Sequence, residues 1–114
     1  MVMIIMVEQL CLFQMNAEQL IRFKELRLQK INSSYLNLID KERELKNVEN
    51  SLWLNTDFKS LKLTNDTMRR AFVSDNTSDL RFEVDHLKYE LKQHETDLII
   101  INDLLALRMK EVIA

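Results

Sequence analysis

Apolar residues recur along this chain in alternating steps of four and three. In the first half the steps fall on positions 17, 21, 24, 28, 31, 35, 38, 42, 45, 49 and 52. Eight of these eleven are apolar, namely Ala17, Ile21, Leu28, Ile31, Tyr35, Leu38, Leu45 and Leu52, with Lys24, Glu42 and Glu49 as the exceptions. In the second half the same spacing runs through 80, 84, 87, 91, 94, 98, 101, 105, 108 and 112. Eight of these ten are apolar, namely Leu80, Val84, Leu87, Leu91, Leu98, Ile101, Leu105 and Val112, with His94 and Arg108 as the exceptions. Stripes this regular and this narrow predict two long helices with a coiled-coil type of seam. The expected interaction seam is Ile21, Leu28, Ile31, Leu38 and Leu45 on the first helix. On the second it is Leu80, Val84, Leu87, Leu91, Leu98, Ile101 and Leu105.

The helix ends are written in the polar residues between the stripes. The first helix is expected over about 17–54, about 57 Å at 1.5 Å per residue. Asn55 is positioned to end it in a left-handed conformation. A tip follows over about 55–64, and Thr64 or Asn65 is placed to cap the next helix, with Asp66 in its first turn. That second helix is expected over about 65–112. The run Ser74-Asp75-Asn76-Thr77-Ser78-Asp79 forms helix poorly. It either bends the second helix or splits off a short third helix at the tip. A connection of about ten residues between long helices makes them antiparallel neighbours. The fold expected is therefore all-α: two long antiparallel helices, a coiled-coil hairpin, in a single domain over 15–114.

The tip has its own apolar supply in Leu52, Trp53, Leu54, Phe58, Leu61, Leu63, Met68, Phe72 and Val73. A two-helix hairpin buries little, and Ile100, Leu104 and Leu107 widen the apolar arc beyond one neighbour's reach. A homo-oligomer or a helical protein partner is expected, because so small a core rarely suffices alone.

Composition narrows the chemistry. The chain contains no glycine and no proline. Glycine-rich phosphate cradles and dinucleotide-binding turns are excluded, and hairpin-rich β architecture is disfavoured. Lys plus Arg is 16 and Asp plus Glu is 18, so there is no basic excess of the kind many nucleic-acid binders carry. The single cysteine, Cys11, has no internal disulfide partner and fits a reducing, cytoplasmic setting. Residues 1–14 form an apolar N-terminal segment without the basic region of a signal peptide. Arg22 and Lys24 follow too closely for a transmembrane segment. Contact with a membrane surface is a further option for Met1–Met15, weakened by the lack of flanking basic residues. Met15 offers an alternative start, since Asn16 with Gln19 three residues on makes a helix N-terminus.

Little in the sequence carries catalysis or metal. His86, Glu90 and His94 share one helix face, and Glu83 precedes His86 at the spacing found in di-metal carboxylate bundles. Only His94 falls in the seam, and the first helix has no matching set, so a solvated charged face is the preferred reading. No metal and no cofactor is expected, and His94 and Arg108 are read as polar groups that set the pairing register. Cys11 lacks the electropositive surroundings of a reactive thiolate, and a nucleophile elbow is impossible without glycine. The chain is not expected to be an enzyme. Lys59, Lys62, Arg69 and Arg70 gather around the tip near Trp53, Phe58 and Phe72, where cations could contact phosphates and rings could stack on bases. Asp57, Asp66 and Asp75 dilute that charge. A nucleic-acid accessory role is therefore the alternative to a helical interaction or scaffold role.

Residues 54–73 also carry a resemblance. Leu54-Asn55-Thr56-Asp57-Phe58, Leu61-Lys62-Leu63-Thr64-Asn65 and Arg69-Arg70-Ala71-Phe72-Val73 resemble a turn pattern, NTDF–ELGLTN–RxAYV, of small helical-hairpin proteins of tailed phages and prophages. There two long charged helices flank the pattern, and the likeness extends over about half the chain. This sequence departs from it at Lys62, where the pattern has Gly, and at Phe72, where it has Tyr. The resemblance implies a mobile-element origin and a cytoplasmic accessory role, and it brings no activity with it.

Overall fold

The computed structural model describes residues 11–113, with side chains to Glu111. It is an all-α helical hairpin: α1 is Ala17–Asn55, α2 is Asp66–Asn76 and α3 is Ser78–Ile113. Among the described residues there is no strand, and no helix is long and apolar enough to cross a membrane. Residues 1–10 of the apolar N-terminal segment lie outside the described residues. Residues 11–14 form a helical turn ahead of α1. The chain packs as two units, one up to Ser34 and from Glu90 onward, the other Tyr35–Tyr89.

The first unit is built on a small apolar cluster. Leu12, Leu20, Ile101 and Leu104 are buried together, with Met15, Phe23, Ile100 and Leu105 against them. Asn16 and Gln19 close a reciprocal cap at the start of α1. The Gln19 N–H donates to Asn16 Oδ1 at 2.9 Å, and the Asn16 N–H donates to Gln19 Oε1 at 3.0 Å. Two donors that the helix cannot satisfy are thereby satisfied by side chains. Arg108 of α3 ties down the preceding turn. Its guanidinium donates to the Phe13 carbonyl at 2.8 Å and the Met15 carbonyl at 3.3 Å, the groups left open where a helical turn ends.

In the second unit Leu38, Val73 and Val84 are buried, and Leu45, Leu52, Leu80 and Leu87 are half-buried. Three ion pairs join α1 to α3: Lys41–Glu83 at 3.2 Å, Glu42–Lys88 at 3.6 Å and Glu49–Arg81 at 2.7 Å. Glu42 and Glu49, two of the three exceptions in the expected stripe, are thus partners of cations on α3. Hydrogen bonds from Lys41 to Glu83 and Glu44 raise its pKa above the usual lysine value. Such exposed pairs add little stability but favour one register. Thr77 alone separates α2 from α3. It is buried, its hydroxyl donates to the Val73 carbonyl at 2.8 Å, and it accepts from Arg81 Nε at 3.0 Å.

The face that α1 turns to α3 differs from the one its apolar residues suggest. On α1, positions 20, 24, 27, 31, 34, 38, 41, 45, 49 and 52 are buried or half-buried. Ile31, Leu38 and Leu45 belong to this set. Ile21, Leu28 and Tyr35 do not, and they remain 50%, 45% and 53% exposed. Leu20, Arg27 and Ser34 stand in the places expected of those three, and Lys41 in the place of Glu42. The stripe alternates three-then-four from Lys24 to Leu45 and rejoins the expected four-then-three steps at Glu49 and Leu52. Polar partners on α3 hold Arg27 and Lys41 in these layers, which apolar periodicity cannot register. On α3, Leu80, Val84, Leu87, Leu91, Leu98, Ile101 and Leu105 are all buried or half-buried.

Candidate functional site

Three features of the described residues could do chemistry or bind: a buried polar layer, the tip and the exposed apolar positions. The polar layer lies in the first unit. Arg27 and Asp97 are only 6% and 7% exposed. One guanidinium nitrogen of Arg27 lies 3.4 Å from Asp97 Oδ2, and the other lies 3.0 Å from His94 Nδ1. The guanidinium also stands over the Phe23 ring, 4.9 Å from its centroid. Arginine can only donate, so Nδ1 is the unprotonated nitrogen and the ring proton of neutral His94 sits on Nε2. Burial, then the charges of Arg27 and Lys30, lower the His94 pKa below the usual 6.5, while Asp97 and Glu90 pull the other way. This layer was not evident in the sequence. His94 stood out as a polar exception in the α3 stripe, but its partners Arg27 and Asp97 did not, beyond the seven-residue spacing of Arg27, Ser34 and Lys41.

The tip is a chain of local hydrogen-bonded caps. Asp57 accepts from the Ser60 N–H at 3.2 Å and the Ser60 hydroxyl at 2.6 Å. The hydroxyl and then the N–H lower the Asp57 pKa below the usual carboxylate value. The helical turn that follows ends at Lys62, whose φ is 58°. The Leu63 N–H returns to the Phe58 carbonyl at 2.9 Å and the Lys62 N–H to the Lys59 carbonyl at 3.1 Å. This pair of bonds around a left-handed residue is the Schellman arrangement. Lys62 is the only positive-φ residue among the described residues, so Asn55 ends α1 without the left-handed turn expected of it. Asn65 then caps α2 by accepting from the Met68 N–H at 2.9 Å.

Of the four cations proposed for phosphate contact, Lys59, Lys62 and Arg70 are exposed. Arg69 is engaged within the tip. Its Nε donates to the Leu63 carbonyl at 3.1 Å, and its guanidinium stands over Phe58 at 5.3 Å. The aromatic rings pack on one another, Trp53 against Phe58 at 5.5 Å and Phe58 edge-on to Phe72 at 6.2 Å. Phe58 and Phe72 are therefore tip core more than a stacking platform. His86 is exposed on α3 and His94 turns to Arg27. Among the described residues no group of three or more His, Cys, Asp or Glu is placed to hold a metal ion.

The third feature is what packing leaves over. In the first unit Ile21, Leu26 and Leu28 on α1, and Ile99 and Leu107 on α3, are all at least 45% exposed. In the second unit Leu54 and Phe82 are the most exposed large apolar residues. Isolated exposed apolar residues are ordinary. Ile21 and Leu28 are distinguished by a seven-residue spacing on one helix. Compared with known proteins, the chain matches no family model, no curated sequence and no solved structure.

Proposed function

We propose that this chain is a non-enzymatic helical interaction protein that assembles with a second copy of itself along α1. The observation that carries the proposal is the half-exposed pair Ile21 and Leu28, seven residues apart in the first unit, which flanks the intramolecular seam without entering it. Residues in that position are one helical step from a second seam. Covering the exposed part of each large side chain is worth about 1 kcal/mol, and a symmetric pairing counts every position twice. Arg27, Lys41 and Glu49, which do face α3, are bonded to it, so the hairpin holds together without this stripe. The competing nucleic-acid reading has less to draw on, since Arg69 and the tip rings are occupied with one another.

The phage resemblance gives the proposal a setting, that of a cytoplasmic accessory protein of a mobile element. What supports it is local. Lys62 adopts a left-handed backbone at the position where the phage pattern has Gly.

The test is Ile21→Lys combined with Leu28→Lys, followed by sedimentation velocity. Both positions lie outside the hairpin core, so helix content by circular dichroism stays as in the parent chain. Assembly through this stripe predicts that the parent associates and the double variant sediments as a monomer. A parent chain that associates equally well with both lysines in place would refute the assignment of the face. Retained binding of labelled DNA at moderate salt, lost in Lys59→Ala with Arg70→Ala, would favour the rival reading.

A further inference from the structure

We propose that the Arg27–His94–Asp97 layer is an acid-sensitive latch, in which protonation of His94 releases α1 from α3 in the first unit. Arg27 is permanently charged, nearly buried and a donor only. Its 3.0 Å bond to His94 Nδ1 therefore exists only while that nitrogen is unprotonated. Adding a proton turns the acceptor into a donor. It also sets a second cation against the guanidinium in a poorly solvated layer. Every charged neighbour of the ring bears on the outcome. Arg27 and Lys30 on α1 oppose protonation, while Asp97 and Glu90 on α3 favour it. Asp97 is already engaged by Arg27 at 3.4 Å, which limits what it offers the imidazolium. The net effect is the lowered pKa of the folded ring.

The sign of the pH response follows. In the unfolded chain His94 takes up its proton near 6.5, and in the folded chain only at lower pH. Between those values the unfolded state binds more protons, so stability falls as pH falls. The loss is up to about tenfold in the folding equilibrium constant per pH unit. The second unit is joined by ion pairs of Glu42, Glu49 and Glu83, and none of these pairs includes a histidine. Below pH 6.5 the latch is therefore expected to weaken progressively in the first unit as His94 takes up its proton.

The experiment is amide hydrogen exchange of the full chain at pH 7.0 and 5.5, corrected for the intrinsic rate, beside His94→Gln. Glutamine can accept from Arg27 through its side-chain oxygen and does not titrate. In the parent, exchange around Arg27 and His94 should accelerate on acidification, up to about tenfold per pH unit. Exchange around Lys41 and Glu83 should change less. In His94→Gln the difference should vanish, and in His86→Gln it should remain. An equal acid response in His94→Gln would overturn the proposal. Should that variant fail to fold, the ring resonances of the parent decide. A His94 titration at or above 6.5 would overturn the latch, and one clearly below 6.5 would support it.

Discussion

Replacing Lys62 by glycine should stabilise this protein, although the change deletes a whole side chain. Lys62 holds φ at 58°, where a Cβ collides with the neighbouring carbonyl. That collision costs about 1–2 kcal/mol. The Schellman bonds, 2.9 Å from Leu63 to Phe58 and 3.1 Å from Lys62 to Lys59, hold the residue there. Glycine removes the collision but loses about 0.5–1 kcal/mol more backbone entropy on folding. The balance is a gain of about 0.5–1 kcal/mol. For a domain of this size that raises the thermal midpoint by about 2–8 °C. The assay is thermal unfolding followed by circular dichroism, with Lys62→Ala as the control. Alanine keeps the Cβ and discards the rest, so it should fall within about 0.5 kcal/mol of the parent. If Lys62→Gly unfolds no later than Lys62→Ala, the left-handed backbone is not the source of strain, and the account of the tip fails.

Two further substitutions probe the first unit. Leu20→Ala opens a fully buried site and should cost about 2–5 kcal/mol in chemical denaturation, while Ile21→Ala next to it costs far less. Equal costs would mean that the pairing face of α1 is misplaced. Arg27→Ala strips the buried Asp97 carboxylate of its guanidinium and should cost about 3–5 kcal/mol. Arg27→Met combined with Asp97→Leu should recover most of that loss, and a double variant worse than the single would contradict the reading of a desolvated pair.

The legible parts of this fold are those determined by local chemistry. Asn16 with Gln19, Asn65 ahead of Asp66, and the poor helix formers around Thr77 each mark a boundary by hydrogen bonds within a few residues. The structure places caps and a break there. The seam of α3 was legible because its layers are apolar. The seam of α1 was legible only at Ile31, Leu38 and Leu45, because polar residues occupy the layers between and beside them. Arg27 and Lys41 face α3 on account of Asp97, His94 and Glu83, residues far away in sequence. Leu20 was passed over for the same reason. A step of four from Ala17 reaches Ile21, which is just as apolar, and only the tertiary partners choose between them. The left-handed turn was expected at Asn55 because asparagine tolerates it, whereas the closing bonds of the tip impose it on a lysine. Arg108 was visible as an anomaly in a stripe, but its two carbonyl partners lie more than ninety residues earlier.

The claim that joins these observations is that the stripe left open on α1 is covered by another copy of the chain. The absolute mass in solution tests it most directly, measured by light scattering on a sizing column across a hundredfold range of concentration. The account predicts a defined multiple of 13.6 kDa that dissociates on dilution. A mass of 13.6 kDa at every concentration would contradict it.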